Sequence, residues 1–263
     1  MTPKKYRILL IEDDKVDQMA FTRFVRRQKL PYGCAMAESV AAARKSLADN
    51  EFDIILADYM LPDGTAFDVL ESAKHIPFVF ITGAGDEAVA VEAWKAGAAD
   101  YLIKDPGHNY LKVLPIVVEN AVTRKAITQK MQLLHSAVMS ATDSICITDT
   151  DDRITFVNPA FCRTYGYTEQ EILGRKYSIL SGSEPLESEV RKVLHDVHSR
   201  QVGFRHRRKD GTTFKVSLTR SAIHDQHGNE IGLVTVARDM SEQTSLEDKV
   251  ESLNLRSAPQ QVR

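Results

Sequence analysis

Five polar residues far apart in the chain each stand at the end of a short apolar run: Glu12 and Asp13 after residues 8–11, Asp58 after 54–56, Thr82 after 79–81 and Lys104 after 102–103. Carboxylates brought close together raise one another's pKa, so Glu12, Asp13 and Asp58 in one place call for a hard cation. Magnesium suits them: it takes oxygen ligands in octahedral geometry and keeps waters, leaving room for a phosphate oxygen. A carboxylate such as Asp58 can attack phosphorus and become an aspartyl phosphate, while the cation and Lys104 neutralise the developing charge. The Thr82 hydroxyl can then donate to a phosphoryl oxygen.

The apolar runs are the elements that must position these groups. Short continuous runs separated by helical patterns read as parallel strands buried on both faces. Strands are expected near Tyr6, Cys34, Ile54, Val79 and Tyr101, and helices over 15–27, 39–49, 66–74 and 87–96. In an open parallel sheet the strand carboxyl ends share one edge, which is where ligands bind. Pro62, Asp63 and Gly64 mark a loop just after Asp58, and residues 83–85 another just after Thr82. One Asp, Thr or Lys at a strand end is ordinarily a cap or turn former; these five in this order point to a shared phosphoryl-handling pocket.

The stretches ILLIEDD, DIILADYMLPDG, FVFITGAGDE and GAADYLIKD resemble the receiver domain of two-component response regulators, over about residues 5–123. The resemblance implies a flavodoxin-like, doubly wound α/β domain with five parallel strands. It implies that Asp58 accepts a phosphoryl group from a partner histidine kinase or phosphotransfer protein. Glu12, Asp13, Asp58 and the backbone carbonyl of Met60 would hold magnesium, Thr82 and Lys104 would sense the phosphate, and Thr82 and Tyr101 would form the switch pair. One departure stands out: receivers follow that lysine with a cis proline, whereas here Asp105 precedes Pro106. A cis bond to a residue other than proline costs about 3 kcal/mol, so Lys104–Asp105 is expected to be trans. The loop over 105–110 should therefore differ from the usual form, which counts against a receiver dimer through the last strand and helix.

At 263 residues the chain is long enough for two domains with separate cores. Its 34 basic and 36 acidic residues nearly cancel, which argues against general affinity for nucleic acid or membrane. Cys34, Cys146 and Cys162 lack metal-site spacing; with no signal peptide evident, a reduced, cytoplasmic protein is expected. No apolar run approaches the ~20 residues needed to span a bilayer.

After Gly107 the pattern becomes a long helix over 114–138, with Val113, Val117, Ile127, Met131, Leu134 and Val138 on one stripe, interrupted by Asn120 and Arg124. Near-heptad spacing suits a parallel helical homodimer, and a polar seam residue can select register. From residue 144 the period turns to strands: 145–148, 154–157, 204–209, 214–223 and 231–238, with a helix over 186–200. Asp151-Asp152, Asp210-Gly211 and Gly228-Asn229 supply turns. The stretches DSICITDTDDRITFVNPAFCRTYGYTEQEILGR, SILSG, RRKDGTTF and VARDMSEQ resemble a PAS domain over about 130–240. That resemblance implies an α+β fold with one antiparallel sheet that binds flavin, haem, a small organic acid or nothing, so the ligand stays open.

Light sensors of that family carry a reactive cysteine where this chain has Tyr177 after Gly174, Arg175 and Lys176, so a cysteinyl adduct is not expected. His195 and His198 are the imidazoles available to a haem, and His224 and His227 lack partners for zinc. In Arg205–Lys209, strand alternation divides the basic side chains between two faces. A solvated hairpin is expected rather than a DNA-binding patch.

The expected division is a receiver over 1–123, a linker helix over 124–138, a PAS domain over 139–240 and a helical tail over 241–263 with Leu246, Val250 and Leu253 on one face. The function expected is a non-enzymatic response regulator: Asp58 loaded by a kinase, the change passed through the helix to the PAS domain and on to a protein partner. The alternatives are the N-terminal regulatory part of a larger diguanylate cyclase or histidine kinase, and a PAS small-molecule or redox sensor. A haloacid-type phosphatase is disfavoured, because Tyr59 and Met60 follow Asp58 where that chemistry uses a DxD pattern.

Overall fold

Alternation of apolar strands with amphipathic helices gives the expected α/β unit. The computed structural model describes residues 5–83, 87–181 and 201–241. In chain order the first half contains β1 (Tyr6–Ile11), α1 (Lys15–Arg27), β2 (Tyr32–Ala37), α2 (Val40–Asp49) and β3 (Ile54–Asp58). A two-residue pair follows, β4 (Met60–Leu61) and β5 (Gly64–Thr65), then α3 (Ala66–Leu70), β6 (Phe78–Thr82), α4 (Glu87–Lys95), β7 (Asp100–Ile103) and the long α5 (Tyr110–Ser140). The five main strands are parallel in the order β2-β1-β3-β6-β7. Successive residues serve opposite faces: Ile8, Leu10, Ile54 and Leu56 pack with Phe21 of α1 and Leu114 and Val118 of α5. Leu9, Ile11, Ile55 and Phe80 pack with Val40, Val69 and Ala93 on the other side.

The loop after Asp58 is pinned. The Asp63 carboxylate accepts from the backbone N–H groups of Val40 (2.7 Å) and Ala41 (2.9 Å) at the start of α2, and these bonds hold its pKa below the usual carboxylate range. Thr65 and Asp68 form a capping box on α3. Gly64 takes a φ of 156°, and a Cβ there would lie 2.7 Å from the Asp68 carboxylate.

The chain divides into two units, Met1–Met131 and Gln132–Arg263. In the second, β8 (Ser144–Thr148) and β9 (Ile154–Val157) lead into α6 (Pro159–Tyr165) and α7 (Glu169–Ile172). Then come β10 (Gln201–Arg207), β11 (Thr213–His224) and β12 (Glu230–Asp239). They form one antiparallel sheet in the order β10-β11-β12-β8-β9. The helix expected over 186–200, with His195 and His198, and the tail with Leu246, Val250 and Leu253 lie outside the described residues.

Buried Asn158 is the N-cap of α6 and more. Its Oδ1 accepts from the N–H groups of Phe161 and Ile145 (both 2.9 Å), and its Nδ2 donates to the carbonyls of Asp143 (2.9 Å) and Val138 (3.3 Å) in the last turn of α5.

Two expectations need correction. Val117 does not continue the exposed stripe of α5: it is buried in the first unit's core with Leu114, Val118, Ala121 and Val122. Beyond that core no side chain of α5 is buried up to Leu134, and Ile127, Met131, Leu133 and Leu134 are each more than half exposed. The hairpin at 205–209 is not wholly solvated either. Arg205 and Arg207 are exposed, but His206 on the alternate face is buried, and Arg208 lies 3.9 Å over the Phe214 ring and pairs with Asp239 at 2.7 Å.

His206 gives this unit a pH-dependent stability. Burial lowers its pKa from 6.5 to about 4, so it is neutral when folded, whereas the unfolded chain takes up a proton below pH about 6.5. Its contribution is complete above that value and lost as pH falls towards about 4, at roughly 1.4 kcal/mol per unit. We expect the opening free energy of β11 amides, measured by hydrogen exchange, to fall by about 2 kcal/mol more between pH 7 and pH 5 in the native chain than in His206→Phe. Equal losses in the two proteins would show that His206 is not the group responsible.

Candidate functional site

At the carboxyl edge of the parallel sheet the structure gathers the groups that the strand ends carry. Glu12 follows β1 and is buried, Asp13 beside it is exposed, and Asp58 closes β3 half-buried. Carboxylate oxygens of these three lie within 4.8 Å of one another, and among the described residues they are the one group of His, Cys, Asp or Glu so placed. All three donors are hard oxygen ligands, as a small divalent cation of magnesium type requires. The residues present therefore fit such an ion.

Lys104, just past β7, ties the acids together. Its Nζ donates to Asp58 Oδ2 at 2.6 Å, Glu12 Oε2 at 2.8 Å and Asp17 Oδ2 at 2.9 Å. Burial works against the charge on Lys104, but the hydrogen bonds to Asp58, Glu12 and Asp17 outweigh it and carry its pKa above the ordinary lysine value. Glu12 goes the other way: burial raises its pKa to about 7, against the opposing pull of Lys104 and with the Asp58 charge adding to the rise. Backbone contacts fix the frame, since the Gln18 amide donates to the Glu12 carbonyl at 2.6 Å and the Asp14 side chain caps α1 through Val16 N–H at 2.6 Å.

Thr82 ends β6 and is buried, its carbonyl accepting from the Lys104 backbone N–H at 2.7 Å. Tyr101 pairs in register with Phe80 and lies half-buried on the α2–α4 side of the sheet. Met60, paired with Thr65, leaves its side chain exposed.

No cis peptide bond is present among the described residues, so Lys104–Asp105 is trans. The following loop is organised by Asp105, whose carboxylate accepts from Gly107 N–H, the Asn109 side chain and Tyr110 N–H. The turn leaves His108 at φ 52° with Nδ1 3.6 Å from Asp17 Oδ1. Asp17 and His108 were missed by reasoning from strand ends, because one lies on a helix and the other on a loop. The signal for Asp17 was its place on the first turn of α1, directly after the Glu12-Asp13-Asp14 run.

The second unit presents a different interior. Burial carries the Tyr165 phenol well above its ordinary pKa, and its hydroxyl shares a hydrogen bond with His206 Nδ1 at 2.6 Å. Tyr177, at the position where adduct-forming light sensors carry cysteine, is buried with its ring edge towards His206 and the Arg220 guanidinium 4.8 Å from its centroid. Arg220 pairs with Asp152. Burial pushes the Cys146 thiol up to about 12, which leaves it an unreactive core residue. His224 and His227 are exposed.

Comparison with known proteins agrees with this geometry. The family description "Response regulator receiver domain" matches residues 8–113 and "PAS domain" matches 142–242. The Bacterioopsin transcriptional activator of Halobacterium salinarum is 27% identical over 233 residues, covering 80% of this chain and 34% of that protein. The Methanogenesis regulatory protein FilR1 of Methanothrix harundinacea is 26% identical over 129 residues, 46% of this chain and 28% of its own length. Regulatory protein LuxO of Vibrio cholerae is 43% identical over 88 residues, 32% of this chain and 18% of its own. The chain thus spans about a third or less of these relatives. No helix among the described residues is long and apolar enough to cross a membrane. Residues 8–113 are a response regulator receiver domain, and residues 142–242 are a PAS domain.

Proposed function

We propose that this chain is a phosphorylation-controlled response regulator whose acceptor is Asp58, loaded by a histidine kinase or phosphotransfer protein. The observation that carries the reading is the Lys104 ammonium donating to Asp58 and Glu12 beside three clustered carboxylates. An Asp58 oxygen attacks phosphorus in line; the bond to the donor breaks, and the leaving group departs with the electron pair. Lys104 then donates to a phosphoryl oxygen, with Thr82 supplying a second donor. A magnesium ion held by Glu12, Asp13, Asp58 and the Met60 carbonyl would supply positive charge opposite the phosphoryl oxygens. Tyr101 and Thr82 carry the switch, and the added charge of about −2 biases an equilibrium between two conformations. Moving that balance from 1:99 to 99:1 would take roughly 5.5 kcal/mol, so a partial shift is expected.

The output runs through α5 to the PAS domain and a downstream protein partner. The bare stretch of α5 repeats in steps of three and four residues, Ile127, Met131, Leu134, with Val138 next and Arg124 before, which suits a parallel pairing with a second copy of the chain.

Treatment with acetyl phosphate and magnesium should add one phosphoryl mass to the native chain and none to Asp58→Asn. A variant that still labels would refute the assignment of Asp58. For the helix, Ile127→Asp with Leu134→Asp should turn a dimer into a monomer by light scattering at tens of micromolar; a native chain that is already monomeric there would remove the proposed pairing.

A further inference from the structure

An ammonium has three N–H donors, and those of Lys104 meet three carboxylates. Two of these, Glu12 and Asp58, belong to the proposed cation and phosphoryl site. The third, Asp17, does not: it sits on α1 rather than at a strand end, outside the trio whose oxygens converge. Its side chain and that of Lys104 are each only 18% exposed. One Asp17 oxygen faces Lys104 and the other faces His108 at 3.6 Å, in the turn that Asp105 organises between β7 and α5. Receiver phosphorylation chemistry as described above gives Asp17 no part.

We propose that Asp17, steadied by His108, is a positioning residue that tethers Lys104 to α1 at rest and thereby restrains phosphorylation of Asp58. The inference rests on Asp58 being the acceptor. Once the new bond between an Asp58 oxygen and phosphorus forms, and the donor's acetate leaves with its electron pair, Lys104 must turn an N–H towards the phosphoryl group. Glu12 is buried and, with Asp58, belongs to the proposed cation and phosphoryl site that Lys104 continues to serve. Asp17 is less buried and keeps His108 beside it, so it is the partner that Lys104 can release. Asp17 also adds a fourth negative charge near the incoming anion, which opposes its approach until salt screens it.

The test is the labelling rate with acetyl phosphate and magnesium, in low and moderate salt, for the full chain and for Asp17→Asn, Asp17→Glu and Asp17→Asn with Asp58→Asn. Asp17→Asn should lower the half-saturating acetyl phosphate concentration roughly three- to tenfold and flatten the rise of rate with salt. Asp17→Glu, which restores the charge, should return both towards native behaviour, and the double variant should stay unlabelled. A gain in rate cannot come from misfolding, and melting curves identify a variant that has lost its fold. Folded Asp17→Asn with native kinetics and native salt dependence, or with slower labelling, would overturn the proposal while leaving Asp58 as the acceptor. A native chain that does not label would instead overturn the phospho-acceptor reading, and this inference with it.

Discussion

One ammonium among carboxylates governs the first half of this protein. Glu12, Asp13, Asp17 and Asp58 come from two strand ends and a helix, and Lys104 meets three of them with three donors. In so buried a place neither sign of charge is tolerable alone, because removing one partner of a buried ion pair leaves the other uncompensated, at a cost of about 3–5 kcal/mol. The pKa shifts express that dependence: Lys104 is held charged by its partners, while Glu12, enclosed more deeply, is left close to neutrality in its readiness to take a proton. A divalent cation is the kind of species that such a carboxylate set can take in place of the lysine it now holds.

The surrounding structure fixes the backbone beneath those charges. Gln18 anchors the Glu12 carbonyl, Asp63 fastens the loop after Asp58 to α2, and Asp105 fastens the loop after Lys104 to α5. Each bond joins one of the site's loops to a neighbouring helix, so the charged side chains stand on a fixed frame. This is pre-organisation in a concrete form: the entropy of positioning is settled by folding and not at the moment of reaction.

The parallel sheet and its carboxyl edge were legible because buried strands leave continuous apolar runs and because the groups that end them have distinctive chemistry. The antiparallel unit was legible through its turn residues and alternating strands. What could not be read was any role created by closeness in space. Asp17 is an ordinary first-turn acid in sequence, and only folding brings Lys104 to it. His206 lies in a basic run that looks wet, yet alternation turns it inward against Tyr165. Val117 fits a heptad seam and a receiver core equally well by spacing, and the sheet claimed it. Periodicity says which residues share a face, but not which neighbour that face will meet.

Asn158 gives the far end of the long helix an unusual character. A single buried amide closes four bonds to backbone groups from the last turn of α5, from β8 with the residue before it, and from α6. Losing one of them strands a donor or acceptor in a dry interior, so intermediate states are disfavoured. The joint is therefore a splice rather than a hinge: the last turn of α5 is fastened to the antiparallel unit and belongs to it mechanically.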